Sequence, residues 1–199
     1  MQEQKIVIPF YTQERWNNWI KKVVESGFKI EDQQKGAVFV YMEDDVVLAC
    51  LKIIAKYDKN LISKESALAY ISDIKEIVLK KVEPVNEDID MMIESVQLSL
   101  MGVFASCECY VEKAFEKSKS LNKLIKSALA AEKEENMGAA LGNIAEIGAN
   151  ILAGGKIKEK DLEDIPEGLV AEWLDGIDSL SAAMIGDTSY RDDEPDEGN

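Results

Sequence analysis

One stretch constrains the fold of this chain more than any other. Ile89, Met92, Ile93, Val96, Leu100, Val103, Cys107, Tyr110, Val111 and Ala114 recur mostly at spacings of three and four. That is the period of one α-helical face, and a strand would scatter the same side chains over both of its surfaces. Pro84 stops any helix arriving from upstream, and Asn86 supplies an N-cap. The pattern runs to about Lys117, which predicts a helix roughly 45 Å long at 1.5 Å per residue. A rod of that length is normally the spine of a helical bundle or one half of a dimer. Gly102 lies inside it and predicts a bend, since glycine weakens a helix interior.

Shorter helical patterns flank this one. Thr12 is a good N-cap for a stripe made by Trp16, Trp19, Ile20 and Val23, and Gly27 supplies the C-cap. The stripe reads as core packing, with a partner groove built on Trp16 and Trp19 as the second reading. Glu43, Asp44 and Asp45 then predict the opening of a helix, because acids suit the positive end of its dipole. Val46, Val47, Leu48, Cys50, Leu51, Ile53 and Ile54 cover so much of its circumference that it reads as central. A divalent-cation site on the three acids is opposed by the same dipole. After a turn at residues 58–60, Ser63 caps a helix holding Leu68, Ile71, Ile74, Val78 and Val82. Pro166 starts the last helix, with Leu169, Val170, Trp173, Leu174, Ile177 and Leu180 inside.

Residues 37–42 (Ala-Val-Phe-Val-Tyr-Met) are ambiguous. Their composition favours a strand that could pair with residues 5–10 in a short hairpin, yet they run straight into a helical pattern. Residues 137–153 are rich in Gly, Ala and Ile, and Gly138-x-x-x-Gly142 would let another backbone approach closely. Glycines there cost about 1 kcal/mol each against alanine, so close packing is expected to offset them. Lys113, Lys117, Lys119, Lys123 and Lys126 read as a solvated helix end or as a docking patch for an acidic partner. Residues 187–199 hold six acids and are expected to be a disordered acidic tail.

The chain contains no histidine, and its 38 acids against 23 bases give a formal charge of −15. Without imidazole there is no Ser-His or Cys-His nucleophile pair and no histidine metal ligand. The acidic excess disfavours nucleic acid and anionic membrane surfaces as partners. Residues 137–153 are too short and polar for a membrane span, and the first residues lack the pattern of a secretory signal, so a cytoplasmic location is expected. Cys50, Cys107 and Cys109 read as buried free thiols of a reducing compartment. A redox or metal role for Cys107 and Cys109 is the alternative, although neighbours two apart on a helix diverge by about 200°. No cofactor is expected. Carboxylates are the remaining candidates for chemistry: Glu172, Asp175 and Asp178 form one stripe on the last helix, and Glu132 and Glu135 form another. Both read as solvated faces, with a magnesium site on Glu172, Asp175 and Asp178 as the alternative.

Three segments carry a resemblance: residues 10–19 (Phe-Tyr-Thr-Gln-Glu-Arg-Trp-Asn-Asn-Trp), 44–53 (Asp-Asp-Val-Val-Leu-Ala-Cys-Leu-Lys-Ile) and 103–110 (Val-Phe-Ala-Ser-Cys-Glu-Cys-Tyr). Together they resemble an uncharacterised family of methanogenic archaea, a domain of unknown function of about this length. The resemblance implies an archaeal cytoplasm and brings no activity, cofactor or site residue with it.

The expected fold is therefore mainly α: an N-terminal segment at 1–9, one bundle-like domain of about six helices over 10–185, and the tail at 186–199. The expected function is a non-catalytic interaction or regulatory protein that binds a protein partner or a second copy of itself. Its contact would lie at Gly138 and Gly142, with Trp16, Trp19, Lys113, Lys117 and Lys123 as further contact candidates. The alternative is a magnesium-dependent hydrolase of a phosphate compound.

Overall fold

A computed structural model describes residues 9–117, 119–158, 161–162, 165–186 and 190. Among these residues seven α-helices follow one another: α1 (Gln13–Ser26), α2 (Ala37–Asp58), α3 (Lys64–Val78), α4 (Glu87–Glu112), α5 (Leu121–Lys133), α6 (Met137–Leu152) and α7 (Leu169–Gly186), with a short 3-10 turn at Gln33–Gly36. No strand occurs among the described residues.

The start signals are local and hold. The side chains of Thr12, Ser63 and Asn86 accept the amides of Arg15, Ser66 and Ile89, capping α1, α3 and α4. Gly27 closes α1 in the left-handed region at φ 59°.

Four expectations change. Residues 37–42 are the first turns of α2, so the hairpin is not formed; residues 5–8 lie outside the described residues. Phe39 and Met42 are buried at 2 % and 0 % exposure, and that burial outweighs the local preference for a strand. Glu43, Asp44 and Asp45 consequently sit within α2 and not at its dipole end. The long helix stops at Glu112, short of Lys117. Lys113 takes the left-handed conformation (φ 60°), its amide bonds Tyr110 O, and the Ala114 amide reaches back to Cys109 O. That paired return is a Schellman closure built on lysine. Residues 121–133, to which the sequence reading gave no helix although Lys123 and Lys126 of the lysine cluster lie there, form α5, which brings the count among the described residues to seven.

α4 packs against α2, α3, α6 and α7. On one side a core cluster joins α1, α2 and α3 to α4 through Trp16, Phe39, Ile53, Ile71, Leu100 and Phe104. On the other, α5, α6 and α7 close around Leu124, Ile144, Ile147, Trp173 and Ile177. Tyr190, beyond the last helix, is buried in the first cluster; the rest of the expected tail after Gly186 lies outside the described residues.

Glycines let the second side come close. A Cβ at Gly102 would lie 2.8 Å from the Trp173 carbonyl oxygen. One at Gly148 would collide with the Ser106 hydroxyl, and one at Gly176 with the Ser99 carbonyl. The close helix crossings are thus at Gly102, Gly148 and Gly176. Gly138 and Gly142 lie at no such crossing within the chain: a Cβ at Gly142 would meet nothing within 4 Å, and one at Gly138 only Asn136 Oδ1 at 3.9 Å. By length and composition α4 is the one described helix able to cross a membrane, and half of its apolar window is buried by its neighbours.

Candidate functional site

Of the carboxylates expected to form solvated stripes, Glu172 and Glu132 are built into helix junctions, while Asp175, Asp178 and Glu135 are exposed; Glu43 and Asp45 of α2 are built into junctions as well. Asp45 accepts Arg15 Nε at 2.9 Å and Trp19 Nε1 at 2.6 Å, and pairs with the second guanidinium nitrogen of Arg15. Glu43 accepts the hydroxyl of Ser99 on α4. Burial raises the Glu43 carboxyl, the Ser99 and Ser179 hydroxyls oppose the rise, and Asp44 and Asp175 add to it. Glu172 accepts Ser95 Oγ at 2.7 Å. Glu132 leaves its own helix to accept the Val170 amide at 3.0 Å, capping the first turn of α7. Asp175 and Asp178 are exposed on α7, and burial, Glu172 and Asp178 raise the Asp175 carboxyl. Among the described residues no three Asp, Glu or Cys side chains converge on a point that could hold a metal ion. Serine hydroxyls and backbone amides hold Glu43, Glu172 and Glu132 apart.

The cysteines part company along α4. Cys107 is fully buried, and its thiol is raised well above the ordinary value by a hydrogen bond with Cys50, by burial and by the nearby Glu108. Cys109 donates to Ala114 O at 3.4 Å, and burial followed by Glu146 and Glu112 pushes it up to about 11. Protonated thiols of this kind are poor nucleophiles.

Of the interaction candidates, Trp16 is core, at 2 % exposure. Trp19 is half-buried beneath Lys22, whose ammonium lies 4.3 Å from its ring. Lys113 is exposed in part, yet its ammonium lies over the rings of Tyr110 (4.2 Å) and Tyr57 (5.0 Å). Lys117 and Lys123 are exposed. Gly138 and Gly142 are exposed as well, and they are drawn into one feature with residues of α4.

That feature is an open groove of about 580 Å³ between the C-terminal half of α4 and the N-terminal half of α6. α4 contributes Ala105, Glu108, Cys109 and Glu112, and α6 contributes Gly138, Gly142, Ala145 and Glu146. Spacings of three and four put each set on one helix face. The floor is small and apolar; the rim is acidic. Lys75 meets Glu108 at 2.9 Å and Lys119 meets Glu146 at 2.8 Å, whereas no cation among the described residues pairs with Glu112. Sequence reading found the α6 wall and missed the α4 wall. Ala105, Glu108, Cys109 and Glu112 do repeat at helical spacing, but the stronger stripe of Leu100, Val103 and Cys107 overshadows them.

The family model described as "Uncharacterized protein conserved in archaea (DUF2150)" matches residues 9–193. No curated protein and no solved structure matches the chain. The match covers nearly the whole sequence, and the chain belongs to that family.

Proposed function

We propose that this member of the archaeal family is a non-catalytic, cytoplasmic protein-interaction module, and that the α4–α6 groove is its contact surface. One observation carries the reading: at Gly142 a side chain would meet nothing within 4 Å. Exposed glycine in a helix interior costs about 1 kcal/mol against alanine. The glycines at the helix crossings recover that cost through close packing, and Gly138 and Gly142 do not. A surface kept small at a cost to its own helix is suited to receive another backbone. The groove adds a floor that water covers poorly and a rim that gives orientation.

The magnesium-dependent hydrolase reading draws less support. Its residues Glu172, Asp175 and Asp178 do not converge, and Glu172 is engaged by Ser95.

The test is a variant that fills the groove without disturbing the fold. Gly142→Trp is expected to melt as the native chain does and to lose the partner that co-purifies with the native chain from its own cytoplasm. A partner retained in full by Gly142→Trp removes the groove from consideration.

A further inference from the structure

We infer that the occupant of the α4–α6 groove is a basic helix of another protein, carrying lysine or arginine along the flank that meets Glu112. This rests on the groove being a contact surface and goes beyond it by naming the partner's chemistry.

Two arguments lead there. The first is shape. The groove lies between two helices, and small residues, Ala105, Gly138, Gly142 and Ala145, make much of its lining beside the larger Leu141 and Asn143. A third helix can lie in such a trough at close range, as ridges settle into grooves. The second is charge. Glu108, Glu112 and Glu146 line the trough; Lys75 and Lys119 pair with Glu108 and Glu146, and no cation among the described residues pairs with Glu112. Glu146 and Glu112 add to the rise that burial gives the Cys109 thiol beside the trough, against an opposing effect of Lys119. The chain as a whole carries −15. A twofold pair of copies joined groove to groove would bring together two chains of formal charge −15 with no cation among the described residues of either rim for Glu112 beyond those already paired, which costs free energy instead of gaining it. A cationic helix from elsewhere gains at both ranges: attraction during approach and ion pairs at the rim.

The experiment uses the full chain and two labelled synthetic helices with the same alanine–leucine face. One bears a row of lysines on its flank, the other a row of glutamates at the same positions. Fluorescence anisotropy is expected to show binding of the lysine helix alone. Raising salt from about 50 mM to about 500 mM weakens it severalfold. Gly142→Trp weakens it about tenfold or more, and Glu112→Gln about threefold. Gly138→Leu, whose Cβ meets only Asn136 Oδ1 at 3.9 Å, is the second filling variant should Gly142→Trp fold poorly. Equal binding of the glutamate helix overturns the inference, as does undiminished binding of the lysine helix by both filled variants. Light scattering adds the remaining outcome. A dimer of the native chain that Gly142→Trp dissolves keeps the groove as a contact surface and overturns only the basic partner.

Discussion

Asp45 holds α1 to α2 with a single carboxylate that receives Nε and one terminal nitrogen of Arg15 and the indole N–H of Trp19. Charge-assisted bonds of this kind, partly shielded from water, are worth more than surface pairs. Asp45→Ala removes the carboxylate that the Arg15 guanidinium and the Trp19 indole share, and a loss of about 1–3 kcal/mol is expected in urea unfolding. Glu43 works in the other sense. Burial raises its carboxyl above the ordinary 4.5, so the folded chain takes up a proton there more readily than the unfolded chain. The penalty is complete at neutral pH, shrinks as pH falls through the folded pKa, and is gone below the unfolded one. Asp44 and Asp175 are raised by burial too and act in the same direction, whereas exposed Glu65, lowered by a backbone amide, acts against them. The difference between two chains isolates Glu43. Glu43→Gln is expected to melt higher than the native chain near pH 7, with the gap closing toward about pH 4.5. A gap that is absent at neutral pH, or that widens on acidification, contradicts the assignment.

Helices meet at two kinds of glycine, and the two respond oppositely to a methyl group. At Gly148 an added Cβ collides with the Ser106 hydroxyl and crowds Ile177. Gly148→Ala is therefore expected to cost about 1–3 kcal/mol or more by overpacking. At Gly142 the Cβ projects into open groove, so Gly142→Ala is expected to stabilise by about 1 kcal/mol through helix propensity alone. Thermal unfolding of the two variants side by side checks both signs. Sequence carried half of this distinction. It showed a glycine-rich helix, but Gly138, Gly142 and Gly148 look alike until α4 and α7 are in place. Caps at Thr12, Ser63 and Asn86 were legible because a cap is a contact three residues long. The roles of Glu43, Asp45, Glu132 and Glu172 were not, because each is completed by a residue 30 or more positions away. The end of α4 at Lys113 was hidden for another reason: a left-handed lysine carries no sign in its name, and its cost of about 1–2 kcal/mol is offset by contacts with Tyr57 and Tyr110.

At the scale of the molecule, α4 makes two layers into one unit. It seals α1, α2 and α3 on one side and receives α6 and α7 on the other, with Trp173 of α7 against Gly102 near its middle. Neither side can open without uncovering an apolar face of the spine. Leu100, Val103, Phe104 and Cys107 are all fully buried, and losing their cover would expose them together. The two core clusters are therefore expected to unfold in one cooperative step. The chain's three tryptophans provide the test, since Trp16 and Trp19 report from α1 and Trp173 from α7. A chain carrying Trp16→Phe and Trp19→Phe leaves Trp173 as the sole indole. Its fluorescence midpoint in urea should coincide with that of far-ultraviolet circular dichroism, which follows every helix. Ile53→Ala in one cluster and Ile144→Ala in the other should each lower that shared midpoint, by about 2–5 kcal/mol in free energy. Were Ile144→Ala to shift the Trp173 signal while leaving most of the dichroism at its native midpoint, the two sides would be separate units and α4 no more than a tether between them.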